Sequence, residues 1–312
     1  MVLLVEKISH FLKHPNRLEN QHHNSEALLA SSLQVFRSDV SKILNKVLPI
    51  PEPGTEPEFQ FLSLAWIHNC LDAIPMMHRA FAKLVVQIDH PINRWEKSQV
   101  EEYLDYTLNL LELLNSVTSG VSHLSHARLC ISHGLSLLEK NSYSPALEHL
   151  KEIQPHDLGK EFKVEGKTEE SSCSGKDLIT HQSLWILRSI SFWVFGVMLS
   201  GICSDVKPYM ELRISAGLFD DSLIKGWDSV LAKEIAQNCG VSKEVKEINE
   251  VVTSLKSAVP NGEVDEIAKQ HRRRLEDLGE LLQTMGKKTN DLFTDVLAER
   301  SKFLDSLQHT RK

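Results

Sequence analysis

Apolar residues recur along this chain at alternating steps of three and four, the period of one face of an α-helix. Leu29, Leu33, Phe36, Val40, Ile43 and Val47 make a heptad seam that stops before Pro49, and Asn24 or Ser25 is placed to cap its start. After a stiff, proline-rich connector at 51–57, the period returns at Leu62, Trp66, Cys70, Ala73, Met77, Phe81, Leu84 and Ile88. Pro75 lies inside that run and removes a backbone donor, which predicts a kink or break near residues 71–75. His68 and His78 fall off the stripe and are expected in solvent. Val100, Leu104, Thr107, Leu111, Leu114, Thr118 and Val121 then line one side of a helix opened by Asn93 and Glu96 as a capping box. It should begin near Arg94 and reach Glu139, roughly 70 Å at 1.5 Å per residue. A last helix starts near Asn261, with Glu263, Asp265 and Glu266 in its first turn. Ile267, His271, Leu275, Leu278, Leu282, Met285, Leu292, Val296, Phe303 and Leu307 form its stripe.

These periods predict an all-α fold: an elongated multi-helix bundle braced by two long helices, at about 93–139 and 262–308. Four parts follow: a mobile amphipathic segment at 1–24, a helical half at 25–153, a loop expected to be disordered at 154–177, and a second half at 178–312 that packs on the first as one domain. Ser144 and Pro145 open a short helix at 146–153. Asp220 or Asp221 caps one carrying Leu223, Trp227, Val230, Leu231 and Ile235, with Gly240 in the left-handed position that ends it. Another occupies 242–258 and stops at Pro260.

Residues 178–204 are apolar on every side, with Leu184, Trp185, Phe192, Trp193 and Phe195 and a single full charge, Arg188. A helix of this kind is either the buried centre of the bundle or a membrane span, and both explanations stand at this point. The uncharged part, 189–204, is shorter than the roughly 20 residues a bilayer requires. Ser189, Ser191, Gly196, Ser200 and Gly201 suit close helix packing in either setting.

Charge and composition narrow the function. The chain has 312 residues, a formal net charge of -7 and 41% apolar residues, ordinary for a soluble globular protein and poor for general attraction to nucleic acid or anionic lipid. The cysteines, Cys70, Cys130, Cys173, Cys203 and Cys239, are widely spaced and read as thiols in a reducing compartment. At the amino end Val2, Val5, Ile8 and Leu12 line one side of a short helix that docks on the bundle or on a membrane. Its apolar run is too short for a secretory signal, and Glu6, Glu19 and scarce Arg argue against a transit peptide. A cytoplasmic location is expected, with membrane association through 178–204 as the alternative.

No phosphate-binding glycine loop, nucleophile elbow, H-E-x-x-H, C-x-x-C or calcium loop is present, so no catalytic residue, cofactor site or metal site is assigned. His22 with His23, and His123 with His126, supply too few ligands for zinc. Arg272, Arg273 and Arg274 are bracketed by acids and are expected to pair along or between helices.

Residues 62–139 resemble the plant BYPASS family of developmental regulators. The likeness is carried by Leu64-Ala65-Trp66, by Pro91, Trp95 and Glu96, by Tyr103-Leu104-Asp105, and by the run from Leu110-Leu111 to Asn115. It implies a non-enzymatic protein needed for normal root and shoot growth, of a kind that prevents overproduction of a mobile, carotenoid-dependent root signal that arrests shoots. A related branch, the ROH proteins, is linked to exocyst subunits and secretion, so protein partners of either sort are implied. The resemblance brings no catalytic residues. Trp66, Pro91, Trp95, Tyr103, Leu104 and Asp105 are motif positions whose expected role is packing and capping. Two mechanisms stay open. In one, the seams at 29–47 and 278–307 dock a partner helix; in the other, an apolar cavity near residues 185–227 carries or transforms a carotenoid-derived compound.

Overall fold

A computed structural model of the chain describes residues 22–49, 62–159, 161–162, 175–217, 223–259 and 265–309. The amino-terminal segment, the connector at 51–57, Cys173, and the expected signals at Asp220, Asp221, Pro260 and Asn261 lie outside the described residues. Helices run in the order α1 (His22–Val47), α2 (Leu64–Cys70), α3 (Ala73–Gln87), α4 (Lys97–Leu138), α5 (Tyr143–His149), α6 (Lys176–Cys203), α7 (Lys207–Ala216), α8 (Lys225–Gln237), α9 (Lys243–Ala258) and α10 (Asp265–His309). There is no strand among the described residues, and the all-α bundle expected from the periods is the fold observed.

The arrangement is built around α6, which packs on α1, α2, α3, α4, α7 and α8. By length and composition alone it could cross a membrane, yet 94% of its most apolar window is buried within the fold. Leu184, Phe192, Trp193 and Phe195 are fully buried, and Trp185 is half-buried at the edge. Each large side chain so enclosed contributes about 1.5–3 kcal/mol relative to exposure. Small residues let the neighbours close in. A methyl at Gly201 would overlap Ile67 of α2, and one at Gly120 of α4 would overlap Ile202. Beyond α6 the chain reverses at Ser204, which is left-handed (φ 54°). Gly240 is left-handed as well, and a Cβ there would fall 2.7 Å from Ser200 Oγ, so glycine is required both for conformation and for space.

The two long helices, α4 and α10, lie side by side and antiparallel: Arg272 meets Glu139, while Phe303 meets Tyr103. At 42 and 45 residues they are about 63 and 67 Å long. The α10 stripe is buried at His271, Leu275, Leu278, Leu282, Met285, Leu292, Val296 and Phe303. On α4 the predicted stripe is only part of what is covered. Thr118 is exposed, whereas Tyr103, Tyr106, Leu110, Leu113 and Val117 are buried, because α6 covers one flank and α10 another.

Several ends differ from expectation. Helix α4 starts at Lys97 rather than Arg94: Ile92–Arg94 forms a 3-10 turn, and the capping box is Glu96 with Gln99, whose Oε1 accepts the Glu96 N–H at 3.0 Å. Pro91 precedes that turn and pre-sets its extended entry (φ -65°). Helix α1 already includes His22, so the start expected at Asn24 or Ser25 falls inside the helix. Helix α5 begins at Tyr143, with Pro145 within its first turn, and ends at His149 rather than near 153. The break near Pro75 occurs as expected, between α2 and α3, and Pro75 sits where its missing N–H is an orphan anyway. The start of the 154–177 stretch is tied down, since the His156 N–H donates to Cys203 O at 2.8 Å. Just before it, Ile153 and Asn249 exchange two hydrogen bonds.

Candidate functional site

The motif residues converge on the joint where the α3–α4 connection meets the start of α6 and the end of α10. Trp95 stacks edge-on to Tyr103 (5.8 Å between centroids) and lies 6.0 Å from Phe303, which is 4.8 Å from Tyr103. The Trp95 indole donates to His90 O at 3.0 Å. His90 in turn meets Asp177 of α6 at 3.0 Å, and Gln99 donates to the Asp177 carbonyl at 2.8 Å. Burial pushes the His90 imidazole down, with Asp177 pulling the other way. Leu104 contributes its carbonyl, which accepts from Arg300 of α10; the same guanidinium donates to Thr107 Oγ1 at 2.8 Å. Trp66 is buried in α2, whereas Asp105 is exposed. The structure thus brings Pro91, Trp95, Tyr103 and Leu104 together and leaves Trp66 apart.

Beneath this joint runs a buried polar chain. His78 Nε2 lies 2.6 Å from the Tyr106 hydroxyl, which lies 3.1 Å from Ser191 Oγ, and Ser191 donates to Leu187 O at 2.7 Å. One consistent direction has His78 donating to Tyr106 and Tyr106 to Ser191. Glu299 of α10 stands 3.7 Å from His78 Nδ1. The solvent position expected for His78 is therefore wrong: only 2% of it is exposed. The stripe drawn through Met77 and Phe81 hid a second one, Ile74, His78, Phe81 and Val85, all buried; α3 is covered on two flanks, by α1 and α6. Burial drives the Tyr103 and Tyr106 hydroxyls far above their usual range, so both stay protonated. Neither works as a base or nucleophile at neutral pH.

A second polar cluster lies between α6, α7 and α8. Asp228 accepts from the Trp193 indole (2.8 Å), the Tyr209 hydroxyl (2.8 Å) and the Arg213 guanidinium (2.7 Å at its shortest). Burial pushes the Asp228 carboxyl up, but Arg213, Tyr209 and Trp193 outweigh it and the net shift is downward. This is an ion pair satisfied by hydrogen bonds, the condition under which a buried carboxylate is tolerated.

The remaining candidates separate. Around 185–227, where an apolar cavity was expected, Phe192, Trp193 and Phe195 fill the space among the described residues, and the Trp227 indole closes onto Leu48 O at 2.8 Å. A solvent-open cleft of about 290 Å³ lies elsewhere, lined by Lys46, Val47, Pro49, Trp66, Asn69, Asp72, Met76 and Arg79. The seams expected to dock a partner are instead internal: Phe36, Val40, Ile43 and Val47 are buried, as is the α10 stripe. His123 meets Gln154 O at 3.0 Å and stacks on His156, while His126 faces Cys130 at 3.7 Å. Among the described residues no group of three or more His, Cys, Asp or Glu is placed to hold a metal. Arg272 pairs with Glu139 at 2.6 Å, between helices as expected.

The ROH1-like family model, described as "Protein ROH1-like", matches residues 9–154. The chain is 22% identical over 299 residues to Protein BPS1, chloroplastic, of Arabidopsis thaliana, covering 88% of this chain and 83% of that one. It is also 22% identical over 212 residues to UPF0496 protein 4 of Oryza sativa, in both the japonica and indica subspecies, and spans 46% of their length. Together these matches support a plant BYPASS-family protein. None of these relatives is named as an enzyme. No solved structure matches the chain.

Proposed function

We propose that this chain is a non-enzymatic plant developmental regulator of the BYPASS type, a helical scaffold that acts through its surface. The observation that carries the reading is the match to BPS1 along 88% of the chain, across both helical halves. The site chemistry agrees: the buried tyrosines are held protonated, the buried carboxylate is neutralised by Arg213, and both clusters hold helices together. On the finer level, the protein restrains a root-derived, mobile, carotenoid-dependent signal that arrests shoot growth. Expression in an Arabidopsis line lacking BPS1 tests this directly. Shoot growth should recover; persistent arrest with the protein accumulating to normal levels rejects the reading.

The match to the ROH1-like family over 9–154 favours a second reading, an adaptor for exocyst subunits in secretion. Immunoprecipitation from root tissue should then enrich exocyst subunits, and the first reading predicts that it does not. On the proposed reading the protein acts in the cytoplasm with α6 as core, whereas the Arabidopsis relative's name is chloroplastic. A fluorescent fusion separates the two locations. A carbonate wash releases the protein from membranes if α6 is core, and leaves it in the pellet if α6 spans.

A further inference from the structure

Trp66, the motif residue that stands apart from the joint, lines the solvent-open cleft of about 290 Å³ where the end of α1 meets α2 and the start of α3. Val47, Trp66 and Met76 give the cleft apolar walls, and its charged side chains are Lys46, Asp72 and Arg79. These three are not equally engaged. Asp72 Oδ1 lies 2.8 Å from Lys288 Nζ of α10, and the same ammonium donates to His68 O at 3.1 Å. Arg79 Nε donates to Pro75 O at 3.2 Å, one turn back along α3, which leaves the terminal guanidinium nitrogens without a protein partner among the described residues. Lys46, exposed in the last turn of α1, is in no ion pair among the described residues either.

The surroundings leave those two cations unmatched. One turn further along the α1–α3 pair, Lys42 and Lys83 share Asp39 at 3.6 and 2.9 Å, so that acid is occupied. Asp291 and Asp295 are exposed on α10 beyond Lys288, and neither pairs with Lys46 or Arg79. Helix α1 ends at the cleft and α3 begins there, so their opposite end charges offset and the side chains set the sign. We infer that the cleft is a binding site for a small organic anion, a carboxylate carried on an apolar body of one or two rings. The carboxylate accepts from the Arg79 terminal nitrogens and from Lys46 Nζ, while the body covers Val47, Trp66 and Met76. A neutral molecule of the same shape leaves both cations to water, and a cationic one finds Asp72 already held by Lys288. At about 290 Å³ the space suits a small molecule, at the low end of the roughly 300–1,000 Å³ of ligand pockets. Glu52, Glu56 and Glu58 follow Pro49 in the sequence, so the chain carries carboxylates of its own that compete for the same cations. The inference goes beyond the scaffold reading, in which no small molecule takes part.

The test is calorimetric titration of the full chain with 2-naphthoate, its neutral counterpart 2-naphthamide, the cation 2-naphthylmethylamine, and inorganic phosphate. Naphthoate should bind about tenfold or more tighter than each of the other three, and its addition should slow hydrogen exchange at the end of α1 and at residues 66–79. Lys46→Met with Arg79→Met, both at exposed positions, should weaken naphthoate about tenfold or more at unchanged helix content and leave naphthamide unaffected. Lys42→Met, which removes a cation already held by Asp39, should change neither. Naphthoate matched by naphthamide, by the amine or by phosphate, no naphthoate binding at millimolar concentration, undiminished binding by the double variant, an equal loss in Lys42→Met, or protection elsewhere each overturns the site. So does naphthoate binding that appears only when Glu52→Gln, Glu56→Gln and Glu58→Gln are combined, since the chain's own carboxylates then hold the place. Failed shoot rescue by the unaltered chain with naphthoate bound as described rejects the regulator reading and keeps the site; rescue without naphthoate binding does the reverse.

Discussion

The carboxylate of Asp228 and the hydroxyl of Tyr106 both lie where a polar atom has to be matched, yet they are matched differently. Asp228 is a full charge ringed by Arg213, Trp193 and Tyr209, all within 35 residues of it in sequence. It fastens α7 and α8 to α6, a local job. Tyr106 is a neutral link between His78, 28 residues before it, and Ser191, 85 residues after it. It joins α3, α4 and α6, with Glu299 of α10 nearby. The difference teaches that removing one partner of the charged cluster strands an ion, whereas breaking the hydroxyl chain strands only dipoles.

The largest effect should follow Asp228→Ala, which takes the carboxylate away from Arg213 and leaves the buried Trp193 and Tyr209 donors without their acceptor. A loss of about 3–5 kcal/mol is expected in urea unfolding, and part of it should return when Arg213→Met is added. Tyr106→Phe should cost less, about 1–3 kcal/mol, because His78 loses a close partner but no charge is uncovered. Acid titration should tell the two clusters apart. Asp228 has a folded value below its unfolded one, so its contribution is complete above the unfolded value of about 3.8 and fades as pH falls through the folded one. The stability gap between the native chain and Asp228→Asn should therefore close in that acid window, while the gap to Tyr106→Phe stays constant there.

His271 supplies a control with no match at all, since its Nδ1 is buried without a hydrogen-bond partner. Burial, aided by Arg274, pushes the ring down to about 4 from an ordinary 6.5. The unfolded chain binds the extra proton first, so stability should fall as pH drops from about 6.5 to about 4, and His271→Leu should flatten that slope in thermal melts. Ser191→Ala should have the smallest effect, about 0.5–1.5 kcal/mol, because Tyr106 keeps His78.

Much of the fold was legible because single-sided helices write their burial into one period. The α10 stripe from Leu275 to Phe303 and the α1 seam from Phe36 to Val47 are examples, since each period marks the face that the fold buries. Legibility failed where a helix is covered on two flanks. On α4 the stripe through Thr118 missed Tyr106 and Val117, and on α3 the stripe through Met77 sent His78 to solvent. The same limit hid the polar chain, since its members lie on three helices and share no sequence spacing. Glu96 was recognised as a capping residue but assigned the wrong role: three residues separate it from both Asn93 and Gln99, and only the proline-set 3-10 turn decides which pair closes the box.

Because α6 is enclosed by helices that precede it and helices that follow it, neither half of this polypeptide has a finished interior alone. The ribosome releases residues 22–150 before the rod that fills them has emerged. Until then Gly120 and Ile67 face empty space that Ile202 and Gly201 will later occupy. A fragment ending near residue 154, where the family match stops, should accordingly be captured by chaperones rather than persist as a free domain.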